Sequence, residues 1–142
     1  MPKTTVLIAD DDIDLVHALT ARIKRLGCKV IGVTDGNSAG LNLFLTDEND
    51  HHPDIVILDI EMPEWDGLAL REDMLVDGVL AEIPVIILTG RSDPQTIRRV
   101  EELGAQYIHK SSRCWKQLEP ILQSLIDRKR SDANKNPRAA CR

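Results

Sequence analysis

Four apolar runs in this chain end in polar residues that have chemistry to offer. Asp10 and Asp11 follow Val6-Leu7-Ile8-Ala9, Asp59 follows Ile55-Val56-Ile57-Leu58, Thr89 follows Val85-Ile86-Ile87-Leu88, and Lys110 follows Gln106-Tyr107-Ile108-His109. If the runs are strands of one parallel sheet, these side chains meet at its carboxyl edge, where open α/β sheets bind ligands. Two carboxylates about 4 Å apart repel by roughly 4 kcal/mol at an effective dielectric near 20, so Asp10, Asp11 and Asp59 in one crevice require a cation. Carboxylate oxygens suit a hard divalent ion, Mg²⁺, which completes its shell with water and phosphate oxygens. The same set suits phosphoryl transfer to a carboxylate. Asp59 would be the nucleophile, Mg²⁺ and Lys110 would neutralise the transferring group, and the Thr89 hydroxyl would donate to one of its oxygens. Singly, each residue has an ordinary use as a turn, a strand end or a solvated charge; their joint placement carries the chemistry.

The sequence between these residues supplies the elements that would position them. After Val6–Ala9, Asp12 stands as an N-cap before Leu15, Val16, Leu19, Ile23 and Leu26 at helical spacing, with Gly27 as the stop. Cys28–Val33 reads as a second strand, and Asp35-Gly36-Asn37-Ser38 as a turn leading into a helix from Ala39 to about Thr46. Asp54–Leu58 forms the third strand, followed by a helix from about Leu68 to Val76. Pro84 opens the fourth strand, and Asp93-Pro94 caps a helix that closes at Gly104. Gln106–His109 is the fifth strand, with His109 alternating with Tyr107 on one face; Trp115, Leu118, Leu122, Leu125 and Ile126 mark a last helix, with Pro120 as a kink or a second start. Five βα units with short connections predict an α/β fold, a doubly wound parallel sheet with helices on both faces. The runs IVIL and VIIL, apolar throughout, fit strands buried on both sides.

At 142 residues the chain has room for one well-buried core, and its formal charge of -5 gives no electrostatic reason to expect nucleic-acid binding. The charge is uneven. From Asp127 onward there are six Lys and Arg against two Asp, which leaves 12 basic and 21 acidic residues in the rest. Residues 129–142 therefore read as a basic, disordered tail outside the domain at 1–128. Cys28, Cys114 and Cys141 are too widely spaced for a metal knuckle or a disulfide framework, and no apolar run approaches the roughly 18 residues of a membrane span. A cytoplasmic protein with reduced thiols and no membrane contact is expected. His51-His52 reads as a solvated loop rather than a metal site, and Trp65 as a partner contact or as packing over the helix that follows it.

The segments IADDD, ILDIEMPEWDG, IILTG and YIHKS, in this order, resemble the receiver domain of bacterial two-component response regulators over about residues 4–128. The resemblance implies a flavodoxin-like three-layer sandwich with strand order 2-1-3-4-5. It makes Asp59 the phosphorylated aspartate, Asp10 and Asp11 the acidic Mg²⁺ pair with Glu61 adding its backbone carbonyl, and Lys110 the contact to the phosphoryl group. Thr89 becomes the switching hydroxyl, Tyr107 the aromatic that turns inward with it, and Gly90 the small residue that leaves the phosphoryl group room. The implied partners are a histidine kinase or phosphotransfer protein and a downstream protein or missing output domain, with a phosphorylation-linked homodimer allowed and no nucleic acid bound by the domain. Such a protein is a signalling switch that catalyses only its own phosphorylation and dephosphorylation.

This chain departs from the family where Ser111 replaces the usual proline after the lysine, which predicts a trans, looser turn there. Glu61 and Arg91 stand two residues past Asp59 and Thr89, and either pair across the site and hinder attacking water or stand as two unpaired exposed charges. Two rivals share these residues. A phosphohydrolase of the haloacid dehalogenase type also uses an Asp nucleophile, but places it before the acidic pair rather than after. A phosphate-independent, receiver-like adaptor would keep the fold without using the chemistry.

Overall fold

The computed structural model describes residues 3–45 and 51–135, with side chains through residue 132. The elements are β1 (Thr5–Ala9), α1 (Ile13–Lys24), β2 (Lys29–Val33), α2 (Gly36–Phe44), β3 (Ile55–Leu58), α3 (Gly67–Leu75), a 3-10 turn (Leu80–Glu82), β4 (Val85–Thr89), α4 (Pro94–Glu102), β5 (Gln106–His109) and α5 (Cys114–Lys135). All strand pairings are parallel, in the order β2-β1-β3-β4-β5, which is the doubly wound sheet expected from the sequence.

Strand alternation divides the core in two. Val6, Ile8, Ile55, Ile57, Ile86 and Leu88 pack on one face with Leu19 and Ile23 of α1 and Leu118, Leu122 and Ile126 of α5. Leu7, Val56, Leu58, Val85 and Ile87 face the other way, onto Leu43 of α2, Leu70 and Met74 of α3 and Val100 of α4. Each such buried aliphatic contributes about 1.5–3 kcal/mol relative to exposure. This two-sided burial explains why the central strands read as unbroken apolar runs, whereas β2, at the sheet edge, is only partly buried.

The helix starts are fixed by aspartates. Asp12 accepts hydrogen bonds from the Asp14 and Leu15 N–H groups, Asp35 from Ser38, Asp66 from Ala69 and Asp93 from Thr96. Because Asp35 is a cap rather than part of a free turn, α2 begins at Gly36, three residues before the expected start; Thr46, its expected end, lies outside the described residues. Three further features were not anticipated. Pro120 does not restart the last helix but sits exposed inside the continuous α5, where it removes one backbone hydrogen bond. Helix α5 also runs to Lys135, past the boundary expected at 128. Arg and Lys are strong helix formers, and within this stretch Lys129 Nζ lies 3.3 Å from Asp54 Oδ1. Finally Arg71 of α3 is buried; its Nε donates to the Leu103 carbonyl at the end of α4 and its Nη1 to that of Ile83, and burial lowers its pKa from the usual guanidinium range. The negative end of the α4 dipole offsets part of the cost of burying that cation.

Candidate functional site

The sheet register sets the crevice. β1 and β3 pair Ala9 with Leu58, so Asp10 and Asp59 leave adjacent strands side by side; β4 and β5 pair Thr89 with His109, so Lys110 emerges one residue beyond Thr89. Backbone bonds hold these ends, with the Asp59 N–H donating to the Ala9 carbonyl at 2.9 Å and the Lys110 N–H to the Thr89 carbonyl at 2.8 Å. Gly67, at the start of α3, lies so close that a Cβ there would sit 2.1 Å from the Asp59 carbonyl oxygen. Only glycine admits this approach, which presses the loop after β3 against the strand end.

Carboxylate oxygens of Asp10, Asp11 and Asp59 all lie within 4.8 Å of one another; Asp10 and Asp59 are 2% and 4% exposed, and Asp11 is exposed. Lys110 Nζ bridges the two buried acids, 2.7 Å from Asp10 Oδ2 and 2.9 Å from Asp59 Oδ2. Asp59 Oδ1 accepts from the Ile60 N–H at 2.7 Å, and Asp10 Oδ1 from the Asp12 N–H at 2.9 Å. Burial raises the pKa of Asp10, with the Asp59 charge adding to it and the Lys110 bond opposing. Burial alone would lower the Lys110 pKa, but its bonds to Asp10 and Asp59 outweigh this and the net shift is upward. Three carboxylates against one ammonium leave the crevice two charges short of neutrality, and its donors are all hard oxygens. This donor set fits a divalent cation of the Mg²⁺ kind.

Thr89 is buried, and its Oγ1 accepts from the Arg91 N–H at 3.2 Å. Next along the loop, the Gly90 carbonyl lies 3.2 Å from His109 Nε2, and the Arg91 carbonyl accepts from the Tyr107 hydroxyl at 2.6 Å. A Cβ at Gly90 would meet nothing within 4 Å. The structure thus brings Asp10, Asp11, Asp59 and Lys110 into direct proximity and joins Thr89 to Tyr107 through Arg91. The Glu61 side chain is exposed. A Glu61–Arg91 pair does not form: Arg91 Nε instead lies 3.6 Å from Asp93 Oδ1, an acid on its own loop that is nearer along the chain.

Residues 6–118 match the family described as the response regulator receiver domain. The chain belongs to this family. Among curated relatives it is 31% identical over 126 residues to a "Probable transcriptional regulator ycf27" of Cyanophora paradoxa, covering 89% of this chain and 49% of that protein. It is 33% identical over 132 residues to the "Two-component response regulator ARR10" of Arabidopsis thaliana, covering 92% of this chain and 23% of that protein. The receiver thus spans half or less of the length of these relatives. A solved signal receiver domain of a signal transduction histidine kinase from Syntrophus aciditrophicus superposes with a TM-score of 0.75 at 32% identity, covering 87% of this chain and 90% of that one. Family membership separates the chain from the haloacid dehalogenase reading.

Other parts of the receiver were placed differently from expectation or were not foreseen. Trp65 packs on the helix before it: its ring stacks on Phe44 with centroids 5.4 Å apart, and it covers Gly40 of α2, where a Cβ would come within 2.4 Å of the ring. Asn37 of α2 also donates to Glu64. The loop after Asp59 is therefore fastened to α2, and the paired glycines in GNSAG were the sequence signal for it. Neither His51 nor His52 joins a metal-ligating group; among the described residues Asp10, Asp11 and Asp59 form the one such cluster. Cys28 and Cys114 are buried free thiols, and Cys141 lies outside the described residues. No helix of the described residues is long and apolar enough to cross a membrane.

Proposed function

We propose that this receiver accepts a phosphoryl group on Asp59 from a histidine kinase, a phosphotransfer protein or a small phosphodonor, and that the product switches a protein-interaction face. The observation that carries this reading is Lys110 Nζ at 2.7 Å from Asp10 and 2.9 Å from Asp59, inside a group of three carboxylates that needs further positive charge. A carboxylate oxygen of Asp59 attacks phosphorus; an O–P bond forms as the P–N bond to the donor imidazole breaks, and the imidazole keeps the electron pair. Asp10, Asp11, Asp59 and the Glu61 backbone carbonyl are the groups that would hold Mg²⁺, whose charge would offset that of the phosphoryl oxygens. Lys110 exchanges one of its carboxylate partners for a phosphoryl oxygen, and so stays near the charge it neutralises. Thr89 uses a lone pair toward Arg91 and keeps its hydroxyl proton to donate.

The output follows from the same loop. Movement of Thr89 toward the phosphoryl group would pull on Arg91 and hence on Tyr107, shifting the population of α4–β5–α5 conformations seen by a partner, an output domain or a second copy. The site is of the kind found in cytoplasmic signalling, and the domain makes no use of nucleic acid or membrane in this reading. The test is incubation with phosphoramidate and Mg²⁺ followed by intact mass. Gain of one phosphoryl group, lost in Asp59→Asn and on chelation of Mg²⁺, supports the reading. Absence of uptake with every donor, alongside retained partner binding, would replace it with the phosphate-independent adaptor.

A further inference from the structure

The loop that leaves β4 is poorly packed for a segment next to a reaction site. Gly90, Arg91 and Ser92 are exposed, and the Gly90 α-carbon faces open space for 4 Å in the direction of a side chain. Apolar contact cannot fix the position of such a loop, so its hydrogen bonds must. Three stand out: Arg91 N–H to Thr89 Oγ1, Tyr107 hydroxyl to the Arg91 carbonyl, and His109 Nε2 to the Gly90 carbonyl. The first two belong to the path already described. The third falls on the residue bonded directly to Thr89. A carbonyl oxygen only accepts, so Nε2 carries the proton in this contact. His109 is the sheet partner of Thr89, and it lies two residues from Tyr107, so both side chains rise from the same face of β5.

We propose that His109 is a positioning residue for the phosphorylation of Asp59: by holding the Gly90 carbonyl it fixes the backbone that aims the Thr89 hydroxyl. The role rests on the reading of Asp59 as phosphoacceptor. His109 touches neither the acid nor the phosphoryl group and acts through Thr89. Since the only requirement is an N–H donor at that reach, an amide side chain can replace the imidazole, whereas a methyl group cannot.

The test compares wild type, His109→Ala and His109→Gln in two measurements. In the unphosphorylated proteins, amide exchange at Arg91 reports the Thr89 contact directly; His109→Ala speeds it by about fivefold, the loss expected for one hydrogen bond near 1 kcal/mol, and His109→Gln restores it. With phosphoramidate and Mg²⁺, phosphoryl uptake by His109→Ala slows by a similar factor and His109→Gln recovers most of the rate. Unchanged exchange at Arg91 in His109→Ala overturns the proposal, as does unchanged or faster uptake, or equal impairment of both variants. If wild type takes up no phosphoryl group, the phosphoacceptor reading fails on its own account, and the exchange measurement alone decides whether His109 holds the loop.

Discussion

The two sides of the carboxyl edge are built on different principles. At β1, β3 and the end of β5, Asp10, Asp59 and Lys110 are held by charge at 2.7–2.9 Å in a buried setting, and Gly67 closes the loop against Asp59 with no room to spare. At β4, the loop of Gly90 and Arg91 is exposed and held by a hydrogen bond from the Arg91 N–H to Thr89 and by others from Tyr107 and His109 to its carbonyls. A buried charge pair that loses one member costs several kcal/mol, whereas a single neutral hydrogen bond is worth about 1 kcal/mol. The first region is therefore the more firmly held of the two. The proposed switch would draw on both.

The firmly held side depends most on Lys110. Lys110→Ala leaves Asp10 and Asp59 together without their cation, and should lower the unfolding free energy by about 2–4 kcal/mol, less than the ~3–5 of a fully buried pair because Lys110 is partly exposed. Urea denaturation measures this, and adding Asp10→Asn should recover part of the loss by removing the repulsion; an unchanged midpoint in Lys110→Ala would mean that the bridge is not structural. Next, Gly67→Ala should cost about 1–3 kcal/mol by overpacking against the Asp59 carbonyl, while Gly90→Ala, with open space around it, should stay within about 0.5 kcal/mol of wild type. Equal melting temperatures for these two variants would erase the distinction between the two sides.

The pH dependence sharpens the same point. Lys110 titrates above its ordinary value of 10.5 in the folded chain, so the stability it supplies is complete below that pH and is lost as pH rises through the raised value. Asp10 works the other way. Its pKa is raised above 3.8, so the folded state binds the proton more tightly and stability falls as pH climbs from 3.8 through the raised value; Asp10→Asn should flatten that part of the curve. Smallest of all is Arg91→Ala, which removes an exposed pair with Asp93 and should leave the melting temperature unchanged.

Much of the firmly held side was legible in the sequence, because its signals are local. An unbroken apolar run ending in Asp or Thr specifies a buried strand and the residue at its carboxyl end without reference to anything distant. The cluster of Asp10, Asp11 and Asp59 followed from that, whereas the strand order came only from the resemblance to receiver domains. What the sequence did not disclose depends on which of several neighbours a flexible side chain reaches. Arg91 had Glu61 and Asp93 available, and the shorter reach decided. Trp65 had two helices available, and the glycines of α2 made the nearer surface flat. Helix α5 continues past residue 128, where Lys129 lies near Asp54 and composition alone had suggested a tail. Arg71, a charged residue in a helix, gave no sign that backbone carbonyls would receive it inside the fold.

Whether Asp59 carries the phosphoryl group can be read by chemical trapping. After incubation with phosphoramidate and Mg²⁺, borohydride reduces an aspartyl phosphate to the alcohol, and peptide mass mapping locates the converted residue. Conversion of Asp59 alone, with Asp10 and Asp11 intact, is the expected result. Conversion at another acid, or at none while wild-type mass still rises by one phosphoryl group, would contradict the assignment.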